Sequence, residues 1–340
     1  MLKLSQEIII YEGQTGAAKL RFPYLAECTI TTSRLTFTDT CTVTIPQKLK
    51  RVSRKISDTI NVNDRIVVKL GYNNELETQF DGYISKIKPL EAMELTCEDR
   101  SFLLKQDVIG ESFTLRKTDL KTLITRIYDG QTQIGNAEIG DWQVNENATV
   151  VDVFDELQKK LKILCYFQDD ILYVNYEFEK TPEKTVLFDT EQNVPAGSNN
   201  LNITKADEVK PISHGLSKQK DGSKIEVFSY YATDNNFSIT TTTTRPSGVL
   251  NTLKIPKLTQ AQLTKLTERR LPQLYYKGVT GDIGTFGQPS LKHGDRAAIR
   301  DNSNPDLNGI YDIIEITKTF GVSSGYKQAC KLGRKLADYS

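Results

Sequence analysis

Only two histidines, His214 and His293, are available for nucleophilic or acid–base chemistry in this chain of 340 residues. A Ser–His or Cys–His nucleophile needs one of them as its base. His214 follows Pro211-Ile-Ser213, and His293 precedes Gly294-Asp295 in a turn-forming context. Neither has a companion at metal-ligand spacing, so the sequence predicts no zinc site and no catalytic histidine. Acidic residues are plentiful, and a glycosidase-type carboxylate pair is defined by distance in space, which spacing along the chain does not fix. Of the adjacent acids, Glu98-Asp99 is read as a strand end and Asp169-Asp170 as a turn. Gly278, Gly281, Gly284 and Gly287 superficially imitate a phosphate loop. They lack the closing Gly-Lys-Ser/Thr and follow a helix where a phosphate loop would open one, so they are read as turn residues.

The five cysteines (Cys28, Cys41, Cys97, Cys165, Cys330) are odd in number, scattered and without a C-x-x-C pair. Buried free thiols are expected at all five. No catalytic, cofactor-binding or metal-binding residue is therefore assigned, and no cofactor is expected. The isolated Trp142 is expected in a domain core.

Charge carries more information than chemistry does. The net charge is +1, which argues against a general nucleic-acid binder. Residues 109–200 are net −7 and residues 201–340 net +7. Such segregation fits complementarity between subunits as well as a solvated surface. Lys48, Lys50, Arg51, Arg54 and Lys55 put five cations into eight residues between Pro46 and Val62. This segment is either a solvated loop or a basic arm that docks on an acidic partner or on nucleic acid. No aromatic residue interleaves it, so base stacking has no support.

Length and composition fit two or three globular domains. No apolar run approaches the roughly 20 residues of a membrane helix. Glu7 precedes any apolar core, which argues against a secretion leader. Residues 1–108 are expected to be nearly all strand. Leu35, Phe37, Cys41, Val43 and Ile45 alternate with threonines, a pattern interrupted at Asp39 and ended by Pro46. Arg65–Tyr72 turns at Asn73-Asn74 into Thr78–Ile84, and a parity shift between Ile84 and Ile87 predicts a β-bulge.

Residues 109–200 read as an α+β unit. Thr118 is expected to cap a helix with Leu120, Leu123, Ile124 and Ile127 on one stripe. Thr149 and Asp152 fit a capping box, and a hairpin turning at Asp169-Asp170 follows. Residues 177–200 read as a connector. Residues 201–336 return to strands, including a two-faced strand at Thr240–Thr244, with a helix over 259–276 capped by Thr259 and Gln262. Pro272 is expected to kink or stop that helix.

Taken in order, several of these motifs carry a resemblance. Phe80-Asp-Gly82-Tyr-Ile84, then Glu98-Asp-Arg-Ser-Phe102, resembles the end of a first hub barrel. Thr149–Val174 is similar to an intervening helix–hairpin unit. The Thr259 helix, Gly284-Thr-Phe-Gly287-Gln-Pro289-Ser-Leu-Lys-His-Gly294-Asp295, Gly309-Ile-Tyr311 and Gly325-Tyr326 resemble a second barrel. The chain thus resembles phage tail hub proteins of the late control protein D family, related to the amino-terminal half of type VI secretion spike proteins.

The resemblance implies a mainly β fold with an α+β insert. Two tube-type β-barrel domains (1–108 and 201–336) would flank or pack on a smaller helix–hairpin domain (109–200). It also implies a non-enzymatic homotrimer in the virion, at the tail tip or baseplate, assembled in the host cytoplasm. The trimer would join the hexameric tail tube to a trimeric spike or tip and line the channel. Partners implied are the tube ring, the spike and the tape-measure protein, with DNA passing only transiently. In related tube barrels the loop equivalent to Lys48–Lys55 reaches a neighbouring subunit. After the second barrel no length remains for a spike or a fused hydrolase, so partners are expected to supply both. Phage, tailocin and contractile injection system remain open within this class. Outside it stand a tail-associated cell-wall or glycan hydrolase and a carbohydrate-binding sandwich.

Overall fold

A computed structural model of the chain describes residues 3–23, 25–46, 56–89, 92–175, 184–195, 197–204, 210–232, 238–274 and 278–339. The basic segment Lys48–Lys55 lies outside the described residues. The first unit contains β1 (Leu4–Tyr11), β2 (Ala18–Phe22), β3 (Glu27–Ser33), β4 (Thr40–Pro46), β5 (Arg65–Tyr72), β6 (Glu75–Lys88) and β7 (Ala92–Glu98). In β4 the alternation is realised: Cys41, Val43 and Ile45 are fully buried between half-exposed threonines. Asn73 and Asn74 both take left-handed backbone, which joins β5 to β6 by a two-residue turn matching strand twist. The expected bulge is present, since the β6–β7 register shifts between Ile84 and Lys86. Residues 34–39, expected to extend β4, form a loop instead, because Asp39 turns its carboxylate back onto the Ser33 amide.

The α+β unit follows with α1 (Ser101–Leu104), β8 (Phe113–Asp119), α2 (Leu120–Ile127), β9 (Thr132–Ile134), β10 (Glu138–Val144), α3 (Val150–Leu161), β11 (Cys165–Gln168) and β12 (Ile171–Val174). Thr149 and Asp152 make the capping box of α3. The cap of α2 is Asp119, whose carboxylate accepts from the Thr122 amide at 2.7 Å, one residue beyond the expected Thr118. Residues 177–200 are more than a connector. They contribute β13 (Thr185–Asp189), and β14 (Asn199–Thr204) begins within them.

A four-stranded sheet comes next: β15 (Pro211–Lys218), β16 (Lys224–Tyr231), β17 (Ile239–Thr242) and β18 (Val249–Lys254). Helix α4 (Gln260–Leu274) lies on it, with the Thr259–Gln262 capping box formed and Pro272 in its last turn. Gly215 lets α4 approach, because a Cβ there would sit 2.6 Å from Leu263. Val227, Leu253, Ile255, Leu258, Leu263 and Leu266 join one core with Trp142, Phe154 and Leu157. Residues 211–274 therefore pack with the α+β unit, so the hydrophobic clusters do not follow the sequence division at 200/201.

The last strands are β19 (Gly278–Phe286), β20 (Arg296–Arg300), β21 (Gly309–Gly321) and β22 (Gly325–Ala337). The expectation of two separate barrels is corrected here. Strands of both β units form one 13-stranded sheet running β14-β19-β22-β21-β3-β4-β7-β6-β5-β1-β2, with β13 and β20 attached at β21. A barrel closes when its first and last strands pair. β3 instead gives its second edge to β21 over seven residue pairs, from Ser33–Glu315 to Glu27–Gly321. Phe320 and Tyr326 extend into the core of the first unit, where the buried Tyr72 hydroxyl donates to the Tyr326 carbonyl at 2.6 Å.

Phe320→Ala is expected to lower unfolding free energy by about 3–5 kcal/mol, because a fully packed ring is lost from a core built by both units. Urea denaturation followed by circular dichroism measures this. A cost below about 1 kcal/mol would mean that the two β units do not share a core.

Candidate functional site at the junction of the β units

A polar cleft of about 500 Å³ opens where the first β unit, the β11–β12 hairpin and the loop before β20 meet. It is lined by Asp39, Asp99, His293, Lys318, Gln79 and Ser290, among others. The loop 34–39 fixes one wall. Arg34, almost wholly buried, ion-pairs with Asp312 of β21, and its amide donates to the Ile314 carbonyl. Phe37 inserts into the core of the α+β unit, its ring 4.9 Å from Phe154 and 5.6 Å from Phe167. The Leu35 carbonyl accepts from Gln158 of α3 at 2.7 Å.

Asp39 then faces the cleft. Its carbonyl accepts from the Asp99 amide, and its Oδ2 lies 3.9 Å from His293 Nε2. Asp99 Oδ1 accepts from the Ser101 amide at 3.1 Å, while Oδ2 is buried without a hydrogen-bond partner. Burial raises the carboxyl pKa of Asp99 to about 6. Burial, and then the charge of Asp99, push Asp39 well above the ordinary carboxylate range. On the opposite wall Lys318 Nζ donates to Gln79 Oε1 at 2.5 Å and to Ser290 Oγ at 2.7 Å. Burial lowers its pKa to about 8.

The hairpin tip crosses the mouth. Asp169 and Asp170, both in left-handed backbone, pair with Lys292 at 2.8 Å and with Arg100 at 3.6 Å. Adjacent acids read as a strand end and a turn are thus both so placed; the fold brings Asp99, Asp169 and Asp170 to one cleft with His293, while Glu98 pairs with Lys105. Lys318 and Gln79 were not singled out in the sequence. Lys318 did carry a signal, since it shares strand parity with the buried Ile316 and Phe320. A lysine in an apolar stripe marks a buried polar partner.

His214 lies elsewhere, on β15. Its ring stacks on Phe228 with centroids 4.4 Å apart, and its Nδ1 is 3.0 Å from Thr252 Oγ1. Burial lowers its pKa. Among the described residues no three His, Cys, Asp or Glu side chains converge on a metal position. The five cysteines are buried and unbridged, with Cys28 and Cys41 sulfurs 3.8 Å apart. The gathered groups are mostly consumed by one another, as they are in a latch; Asp99 Oδ2 is an acceptor left over.

No protein-family model matches the chain, and no curated protein matches it. Solved structures do. A tail protein from Neisseria meningitidis aligns at TM-score 0.61 and 12% identity, covering 98% of this chain and 96% of that one. The 43 kDa tail protein of prophage MuSo2 from Shewanella oneidensis aligns at 0.61 and 14%, covering 97% and 98%. A type VI secretion component from E. coli, described as structurally similar to the T4 tail proteins gp27 and gp5, aligns at 0.53 and 11%, covering 93% and 74%. The chain has the fold of these tail proteins. In this tail-protein fold the cleft lies at the joint where both β units and the α+β unit meet.

The pH dependence of the joint follows from Asp99. A carboxyl with a raised folded pKa binds more protons in the folded state between pH 4 and 6, so its contribution to stability falls as pH rises through that window. Asp99→Asn removes this penalty. Relative to the parent, the variant is expected to gain about 2 kcal/mol of stability between pH 4.5 and 7.5, measured by denaturant titration at both values. A difference independent of pH would mean that Asp99 is not held in a desolvated site.

Proposed function

We propose that this protein is the structural hub of a phage or phage-like tail. It is a homotrimer joining a hexameric tail tube to a trimeric spike or tip, and it lines the channel through which the genome passes. The observation that carries this reading is the β21–β3 ladder. It welds two β units of one chain into a single sheet, so three copies present six β units to a six-fold ring. Closed cyclic symmetry makes such a match economical. Likeness in fold to phage tail proteins and to a type VI secretion component supports the same reading.

In this reading the protein is not an enzyme, needs no cofactor, and belongs to the tail tip or baseplate of the virion after assembly in the host cytoplasm. Its partners are the tube ring, the spike and the tape-measure protein. A tailocin or contractile injection-system hub is the alternative within the same class. Lys48, Lys50, Arg51, Arg54 and Lys55 form the arm that docks on a neighbouring subunit.

One observation favours a second reading. Asp99, with its raised pKa, stands in a cleft beside Asp39, as a hydrolase acid would. Asp39, Asp169 and Asp170 are engaged by Ser33, Lys292 and Arg100, which leaves this wall or glycan hydrolase with few free groups. Cell-wall hydrolysis by the purified protein, abolished by Asp99→Asn, would establish it.

Mass measurement of the purified protein, alone and with its tube protein, tests the hub. The expected species is a trimer that captures tube subunits, whereas a persistent monomer indifferent to them would count decisively against a hub. Lys50→Glu, Arg51→Glu and Arg54→Glu together are expected to block assembly and leave the monomer folded; normal particles from that triple variant would remove the docking role.

A further inference from the structure

A cleft of about 970 Å³ separates the β8–β10 ribbon and α3 from the four-stranded sheet. Six cations line it: Arg116, Lys117, Lys160, Lys220, Lys254 and Lys257. Two carboxylates oppose them. Asp141 is matched by Lys257 at 3.9 Å, and Glu156 by Lys160 one helical turn away. Arg116, Lys117, Lys220 and Lys254 are exposed and have no carboxylate partner among the described residues. A cleft with this surplus of one sign concentrates field and attracts the opposite charge.

The backbone shows how the surplus is held in place. Lys117 and Lys257 both adopt left-handed backbone, at φ 48° and 63°, which costs conformational free energy for any residue with a Cβ. For Lys117 the cause is a bulge. The β8–β10 register slips around Gly140, and the Lys117 amide donates to Asp141 Oδ1 at 3.1 Å. For Lys257 it is the tight turn between Pro256 and α4, where its amide donates to the Lys218 carbonyl. Two strained lysines on separate elements thus line one cleft.

The base of the cleft decides the class of ligand. Ile139, Leu161 and Ile255 lie there but are only 2%, 5% and 6% exposed, so it offers little apolar surface. Trp142 lies beneath, 5% exposed, with Lys160 Nζ 5.4 Å from its ring centre. A single-stranded nucleic acid needs an open aromatic face for its bases, and this ring is covered. Side-chain carboxylates need no such face and match the cationic rim. We propose that this cleft is the docking site for an acidic peptide segment of a partner protein. It binds through Arg116, Lys117, Lys220 and Lys254. The site lies outside the junction cleft and does not depend on the hub reading.

Trp142 is the sole tryptophan, so its emission reports on the cleft directly. The intact protein is titrated with a synthetic peptide of repeating Glu-Glu-Ser triplets, read by Trp142 fluorescence and by calorimetry. A parallel arm uses a poly-dT oligonucleotide of equal charge. The peptide is expected to bind with an affinity that falls with added salt, and Lys220→Glu with Lys254→Glu is expected to weaken it by about tenfold or more. Lys121→Glu with Lys327→Glu, exposed lysines away from the cleft, makes the same change in net charge and is expected to leave binding unchanged. The neutral pair Lys220→Gln with Lys254→Gln, checked for folding by circular dichroism, is expected to fall between parent and reversal. Absence of peptide binding by both readouts overturns the proposal. So does an equal loss in the control pair, or an oligonucleotide that binds more tightly and shows the same cleft dependence.

Discussion

The antiparallel ladder between β3 and β21 is the constraint on which the rest of this structure depends. Its strands lie nearly 300 residues apart in sequence, yet every pair from Glu27–Gly321 to Ser33–Glu315 is in register. A long-range pairing carries a loop-closure entropy that local contacts cannot offset. Here the offset comes from burial: Ile316, Phe320 and Tyr326 are all but fully buried, and the latter two lie in the core of the first unit. Once this ladder forms, neither β unit has that edge available to close on itself. A continuous sheet is then the necessary outcome, and among the described strands its edges fall at β2, β14 and β13.

The polar cleft is a consequence of the same joint. Where two β units and an inserted unit converge, side chains from each must fill a space that no single core controls. The loop 34–39 meets this by sending Arg34 to β21, Phe37 into the inserted unit and Asp39 into the cleft between them. A buried ion pair such as Arg34–Asp312 adds little net stability against a hydrophobic equivalent, but losing one partner is costly. Its effect is to penalise every arrangement in which β21 is displaced relative to the loop. The raised pKa of Asp99 and the lowered pKa of Lys318 express the same compromise, with charge held dry so that position is fixed.

Local features were legible in the sequence because short-range chemistry determines them. The Asn73-Asn74 and Asp169-Asp170 turns, the Ile84 bulge and the capping boxes at Thr149 and Thr259 all follow from residue type and parity. Asp119 displaced Thr118 as a cap because its carboxylate accepts from the Thr122 amide, while the Thr118 hydroxyl donates to the Asp119 carbonyl; spacing alone does not rank the two residues. What was not legible depends on distant partners. β13 pairs in parallel with β20 more than 100 residues later, and nothing between 185 and 189 announces it. Residues 211–274 share a core with the α+β unit through Val227, Leu253 and Leu263. Their own pattern specifies a buried face and is silent about which neighbour buries it. For the cleft, Asp99 and His293 were visible as isolated polar residues, and their convergence is a property of the ladder.

The inserted unit therefore does more than occupy space beside the sheet. Its hairpin tip reaches Lys292 through Asp169 and Arg100 through Asp170, touching both β units across the cleft mouth. Exposed pairs of this kind contribute about 0–1 kcal/mol each, too little to hold the joint alone. The stronger attachment is apolar. Phe37 lies in the insert's core, and Tyr166 of the hairpin meets the His293 ring edge-on at 5.2 Å. Displacing the β units relative to each other would have to pull Phe37 out of the insert or part His293 from Tyr166. The insert thus acts as a brace across the joint, and the angle between the β units is set by three contacts, of which the ladder is one.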